Sequence, residues 1–244
     1  MILRVSLATV VLMAAALPAR AQVLTPDHHT CANGPGNVAP ADQEKACDAV
    51  IKLGGTRENL AIAYSNRGNS FLRRGENEKA IQDYGQAIRL DPTFADAYRN
   101  RGAAWFNLGN YDKAISEYDA VVRLEPGESS GYTDRCSARA LLGQAREAKA
   151  DCDKALALDP MFMEAMAWRA LVLLQLGDID AAEFDIIRVV PDQPKDPSLR
   201  YVFGMVLEAK GAEKEAAEQF QVARELDPEE FARLDKLYGR FRRH

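Results

Sequence analysis

The chain has 244 residues, of which 47% are hydrophobic and 27% charged, and its formal net charge is −5. That profile excludes a disordered polar chain and fits a folded one. The acidic balance makes nucleic acid a poor partner.

Residues 1–21 read as an export signal peptide. Arg4 supplies a positive start, Val5 to Leu17 carries no charge, and Ala19-Arg20-Ala21 fits a small-x-small cleavage site, with the cut after Ala21. The apolar run is about 13 residues, short of the roughly 20 that cross a bilayer. No membrane span is therefore expected in the mature chain; an uncleaved anchor is the competing reading. Losing Arg4 and Arg20 takes the charge from −5 to −7. The expected location is the periplasm or the cell exterior.

Residues 22–60 divide in two. Up to residue 40 turn formers dominate, as in Thr-Pro-Asp-His-His-Thr and Asn-Gly-Pro-Gly-Asn, and a loop is expected. A helix then runs from about Asp42 through Ala46, Val50, Ile51 and Leu53 to a stop at Gly54-Gly55. Lys45-Ala46 stands one full period before Lys79-Ala80, in phase with everything that follows. This helix therefore reads as an N-terminal cap made from the lone second helix of a degenerate repeat.

From residue 61 the chain repeats without a gap, at a constant period of about 34 residues. Gly75, Gly109, Gly143, Gly177 and Gly211 form one column, Ala80, Ala114, Ala148, Ala182 and Ala216 a second, and Pro92, Pro126, Pro160, Pro194 and Pro228 a third. A fixed period of this length signals stacked supersecondary units. The units are 61–94, 95–128, 129–162, 163–196 and 197–228, each with two amphipathic helices split by the column glycine. Gly68, Gly102, Cys136, Ala170 and Gly204 are small enough for a close helix crossing, and Tyr84, Tyr118, Cys152, Ile186 and Phe220 fill space between units. Some units depart from the pattern. Arg139 stands where Phe71 and Trp105 stand, Gly127 and Gly131 loosen the start of the third unit, Pro191 shortens the fourth, and Arg200 replaces an aromatic in the fifth. A bend is expected around residues 125–131. Residues 229–244 form a C-terminal capping helix whose stripe is Phe231, Leu234, Leu237, Tyr238 and Phe241, ending in Arg240, Arg242 and Arg243; it should cover the exposed end of the fifth unit.

These columns resemble the tetratricopeptide repeat (TPR) family over residues 61–228. The resemblance implies an all-α fold, a right-handed superhelical solenoid of antiparallel helix pairs. Its first helices would line a concave groove that holds a segment of another protein. Among the polar and odd residues between the packing columns, Asn66, Asn69, Arg99, Asn100, Phe106, Asn107, Trp168 and Leu171 are the expected peptide-binding positions, and Ser65, Thr133, Asp134, Ser137, Leu174, Tyr201 and Met205 face the same way. Asparagine suits an extended peptide because its amide offers donor and acceptor together. One subtype of the family grips a terminal carboxylate with two asparagines and three basic residues. Asn69 and Asn100 match the asparagines, but Ser65, Ser130 and Asp134 occupy the basic positions, so that clamp is rejected here.

Four cysteines in an exported chain allow three pairings. Cys136 and Cys152 lie at equal distances before and after Gln144 at the turn, so an antiparallel hairpin sets them at one height; Cys31 and Cys47 have the same spacing. Both pairs are expected as disulfides. Zinc ligation would need Cys and His at spacings of about two to four residues; His28-His29 near Cys31 is the only such cluster, and no metal or cofactor is expected. All three histidines, His28, His29 and His244, lie outside the repeats, which argues against an enzyme. The expected function is a non-catalytic protein-interaction scaffold of the cell envelope, with a self-associating architectural module as the alternative.

Overall fold

Each period of the sequence supplies two apolar faces with a breaker between them, and each becomes a helical hairpin. The computed structural model describes residues 26–32 and 38–239. Thirteen helices occupy those residues: α1 (Pro26–Ala32), α2 (Pro40–Leu53), α3 (Arg57–Arg73), α4 (Asn77–Leu90), α5 (Ala95–Asn107), α6 (Tyr111–Leu124), α7 (Ser129–Leu142), α8 (Ala145–Leu158), α9 (Met163–Leu176), α10 (Ile179–Val189), α11 (Pro197–Ala209), α12 (Glu213–Leu226) and α13 (Pro228–Tyr238). The fold is an all-α solenoid: every helix packs on its sequence neighbours, and the core is divided among successive clusters. The signal peptide, its cut after Ala21, and Arg240, Phe241, Arg242 and Arg243 lie outside the described residues.

The turn inside each hairpin is set by the glycine column. Gly75, Gly109, Gly143, Gly177 and Gly211 have φ between 74° and 87°, the left-handed region that only glycine occupies freely. That geometry lets the N–H of the following residue reach back to a carbonyl in the last turn of the helix, as in Asn110 to Trp105 and Gln144 to Arg139, both 2.9 Å.

Within a hairpin the small column meets the large one. A Cβ on Gly102 would come within 2.5 Å of the Tyr118 ring, and one on Gly68 within 2.7 Å of Tyr84. The aromatic thus packs on bare backbone of its own hairpin, where the sequence suggested filling between units. The third hairpin fills the same two positions with Cys136 and Cys152, bonded with their Cα atoms 5.6 Å apart. Cys31 and Cys47 are also bonded.

One further column was not expected. Arg67, Arg101, Arg135 and Arg169 recur once per period, and each reaches a carboxylate on the second helix of its own hairpin: Asp83, Glu117, Asp151 and Asp185. Three of them also reach back to the preceding second helix, Arg67 to Asp48, Arg135 to Asp119 and Arg169 to Asp153. Asp83, Asp151 and Asp185 are buried, and each accepts a two-pronged guanidinium contact, as in Arg169 at 2.7 and 2.8 Å. Paired charges tolerate such burial; a lone one would not. Arg139, the odd residue of the third hairpin, joins Asp151 at 2.7 Å. Arg200 binds the Gln219 side chain at 2.8 Å.

Three sequence expectations change. The segment before α2 is not all loop: Pro26 and Asp27 open α1, which the disulfide holds to α2, so α2 has a first-helix partner. Gly131 does not loosen its joint. A Cβ there would meet Val121 at 2.8 Å, so the missing side chain permits close packing of α7 on α6. The C-terminal helix α13 covers α11 and α12 through Phe231, Leu234 and Tyr238, but it also walls the inner face, where it lines one cavity together with α9 residues.

Candidate functional site

First helices adjoin one another, α3 with α5, α7 with α9 and α9 with α11, so their shared face is the inner curve of the solenoid. Its character changes along the chain. At the amino-terminal end the Asn69 carbonyl oxygen accepts from the Tyr84 hydroxyl at 2.8 Å and from the Asn100 amide at 3.0 Å. Those contacts fix both side chains and leave the Asn69 amide nitrogen and the Asn100 carbonyl oxygen available. One donor and one acceptor held side by side match a peptide group. Asn66 is half-buried beside them, and the exposed Asn107 amide reaches Asn77 at 3.4 Å.

The middle of the face is acidic. Arg99 contacts Asp96 at 3.4 Å, Glu125 at 3.1 Å and Asp134 at 3.6 Å, so its charge is spent within the chain. Asp134 keeps a buried oxygen without a hydrogen bond. Burial pushes its carboxyl up to about 7; Arg99 opposes the shift and Glu164 adds to it. Partial burial of its carboxyl also raises Glu164 from its ordinary value, although the residue as a whole is exposed.

The carboxyl-terminal part is apolar and largely covered. Phe106 from α5 and Trp168 from α9, two hairpins apart, meet edge to face with centroids 6.4 Å apart, and Phe106 also meets Tyr111 at 5.3 Å. Leu171 is only 1% exposed and packs with Leu141, Tyr201, Met205, Phe231, Leu234 and Tyr238. It lies beneath α13 and α11, away from the open face, where it lines the cavity described next. Tyr201 and Met205 are buried in the same cluster, and Ser65, Thr133 and Ser137 are buried too. Between α9, α11 and α13 a cavity of about 420 Å³ remains, lined by Phe106, Trp168, Leu234 and Leu237 among others, with Glu164 and Asp196 at its edge.

The sequence reading brought Asn69 with Asn100 and Phe106 with Trp168 to one face, and the structure joins each pair. It missed Glu125, Tyr111 and the α13 residues. Glu125 carried a signal. It stands in a column with Asp91, Asp159 and Asp227, whose shorter side chains bond nearby backbone N–H groups, whereas glutamate reaches out to Arg99.

Comparison with known proteins agrees with this architecture. Family profiles described as TPR repeat or tetratricopeptide repeat match residues 68–109, 95–128 and 138–197. The chain is a tetratricopeptide-repeat protein. No curated protein matches it. Among solved structures, the tetratricopeptide-repeat chain is similar to TTC0263, a thermophilic TPR protein in Thermus thermophilus, with TM-score 0.61 and 19% identity over 74% of this chain and 96% of that one. It is similar to MamA from Desulfovibrio magneticus RS-1, with TM-score 0.59 and 22% identity over 72% and 97%. YrrB, described as a TPR protein with an unusual peptide-binding site, gives TM-score 0.57 and 23% identity over 76% and 94%. At these identities the likeness is one of fold. Among the described residues of this tetratricopeptide-repeat protein, no helix is long and apolar enough to cross a membrane.

Proposed function

We propose that the chain is a non-catalytic scaffold of an oxidising, extracytoplasmic compartment that holds a peptide segment of a partner protein on its inner face. The observation that carries the reading is the Asn69–Asn100 pair, fixed by Tyr84 and presenting one donor and one acceptor. Tetratricopeptide repeats are typically interaction modules, and the description of YrrB as having a peptide-binding site supports the same use of this fold. Two disulfides and the leader-like residues 1–21 support export, since such bonds persist in oxidising compartments. The bound segment runs over Asn66, Asn69, Asn100 and Asn107 toward Phe106 and Trp168, while Arg99 orders the acidic middle.

Crosslinking and mass spectrometry on oxidised protein in its native host identify the partner segment, and calorimetry with that segment as a synthetic peptide measures affinity. Each lost neutral hydrogen bond is worth about 1 kcal/mol, so Asn69→Ala/Asn100→Ala should weaken binding by about thirtyfold. An unchanged affinity removes the asparagine pair as the site.

A further inference from the structure

The cavity between α9, α11 and α13 combines two properties not otherwise found together on the inner face. Its walls are apolar and aromatic, from Phe106, Trp168, Leu234 and Leu237, and its volume of about 420 Å³ suits inserted side chains rather than a whole chain. Its charged edge is unbalanced. Glu164 joins no ion pair and accepts no hydrogen bond among the described residues. Asp134, which feels the Glu164 charge, has one oxygen held only by the 3.6 Å contact with Arg99 and by no hydrogen bond. The cations that could neutralise them are engaged: Arg99 is shared among Asp96, Glu125 and Asp134, and Arg233, on the cavity wall, is clamped by Glu230. Glu164 is exposed at an apolar cavity and carries no partner of its own, so a cation brought beside it by a ligand meets a complementary charge.

We propose that this cavity is the specificity pocket for the partner segment, taking a large apolar side chain that is flanked by lysine or arginine. The apolar anchor fills the space beside Trp168 and Phe106, and the neighbouring cation meets Glu164. This rests on the peptide-scaffold reading above and adds to it the chemistry of the partner: a basic segment with an apolar anchor. An acidic segment is disfavoured by repulsion from Glu164, and a purely apolar one forgoes the contact with that carboxylate.

The test is to pan a random peptide phage library on the oxidised full chain and measure the enriched peptides by fluorescence anisotropy. The expected result is enrichment of Leu, Phe or Trp with Lys or Arg within three positions. A charge-assisted contact predicts loss of about tenfold or more on Glu164→Gln, a greater loss on Glu164→Lys, and retention on Glu164→Asp. Trp168→Ala should also weaken binding, with circular dichroism confirming that the helices persist. Acidic or neutral enriched peptides would overturn the proposal, as would affinities indifferent to both Glu164→Gln and Glu164→Lys. Peptides that respond to Asn69→Ala/Asn100→Ala but not to Glu164 variants would overturn the pocket and leave the scaffold reading standing. Failure to enrich any peptide would count against both.

Discussion

The third hairpin allows the packing logic to be tested by exchange. Its Cys136–Cys152 bond occupies the two positions that Gly68 and Tyr84, Gly102 and Tyr118, or Gly204 and Phe220 occupy elsewhere. The bond closes a loop with a sequence separation of 16, for which the chain-entropy relation gives about 3 kcal/mol at 25 °C. Cys136→Ala/Cys152→Ala should therefore lose about 3 kcal/mol, read as a lowered urea midpoint with a steeper slope, because the unfolded chain without the crosslink is more expanded. Cys136→Gly/Cys152→Tyr should recover about 1–2 kcal/mol of that loss, because a buried aromatic on bare backbone is what the first two hairpins use at this place. Urea titrations followed by circular dichroism on the oxidised wild type and both variants provide the readout. If the Gly/Tyr variant is no more stable than the Ala/Ala variant, the two pairings are not interchangeable solutions and the column argument fails.

Two further outcomes follow from the buried charges. Removing Arg135 strands the buried Asp151, which only Arg139 would then partner; Arg135→Ala should cost about 3 kcal/mol by urea unfolding, while the double change Arg135→Met/Asp151→Leu should be close to neutral. Asp134 titrates at about 7 in the fold against 3.8 for the free side chain, so the native state holds its proton more tightly than the unfolded chain does. Its contribution is thus fully favourable below about pH 4 and is lost as pH rises through about 7. The gap amounts to at most about 4 kcal/mol, and Asp134→Asn should flatten the pH dependence of the urea midpoint between about pH 4 and 8 and raise stability at the upper end. A wild-type midpoint that rises over that interval, with no change in the variant, would contradict the placement of Asp134.

Periodicity made most of the architecture legible, because the glycine, alanine and proline columns answer to local geometry that repeats with the chain. The arginine column repeats just as regularly, yet Arg67, Arg101, Arg135 and Arg169 pass for a solvated helix face until their carboxylate partners across the hairpin are considered with them. The cysteine pairing was legible for the same reason as the hairpins. The α1 helix was not: so short a helix carries too little apolar period, and its order comes from Cys47, a contact distant in sequence. The inner face was half legible. Asn69 and Asn100 follow from register, whereas burial of Leu171 depends on where α13 lies, and nothing in the repeat fixes the path of a terminal helix.

The arginine ladder has a mechanical consequence. Arg67, Arg135 and Arg169 each tie the second helices of two consecutive hairpins, so the spacing of the outer wall, and with it the radius of the inner curve, is clamped before any partner arrives. The ladder stops where Phe203 takes the next arginine's place. The hairpins tied in this way meet a partner with their relative spacing already set, which lowers the entropic cost of association.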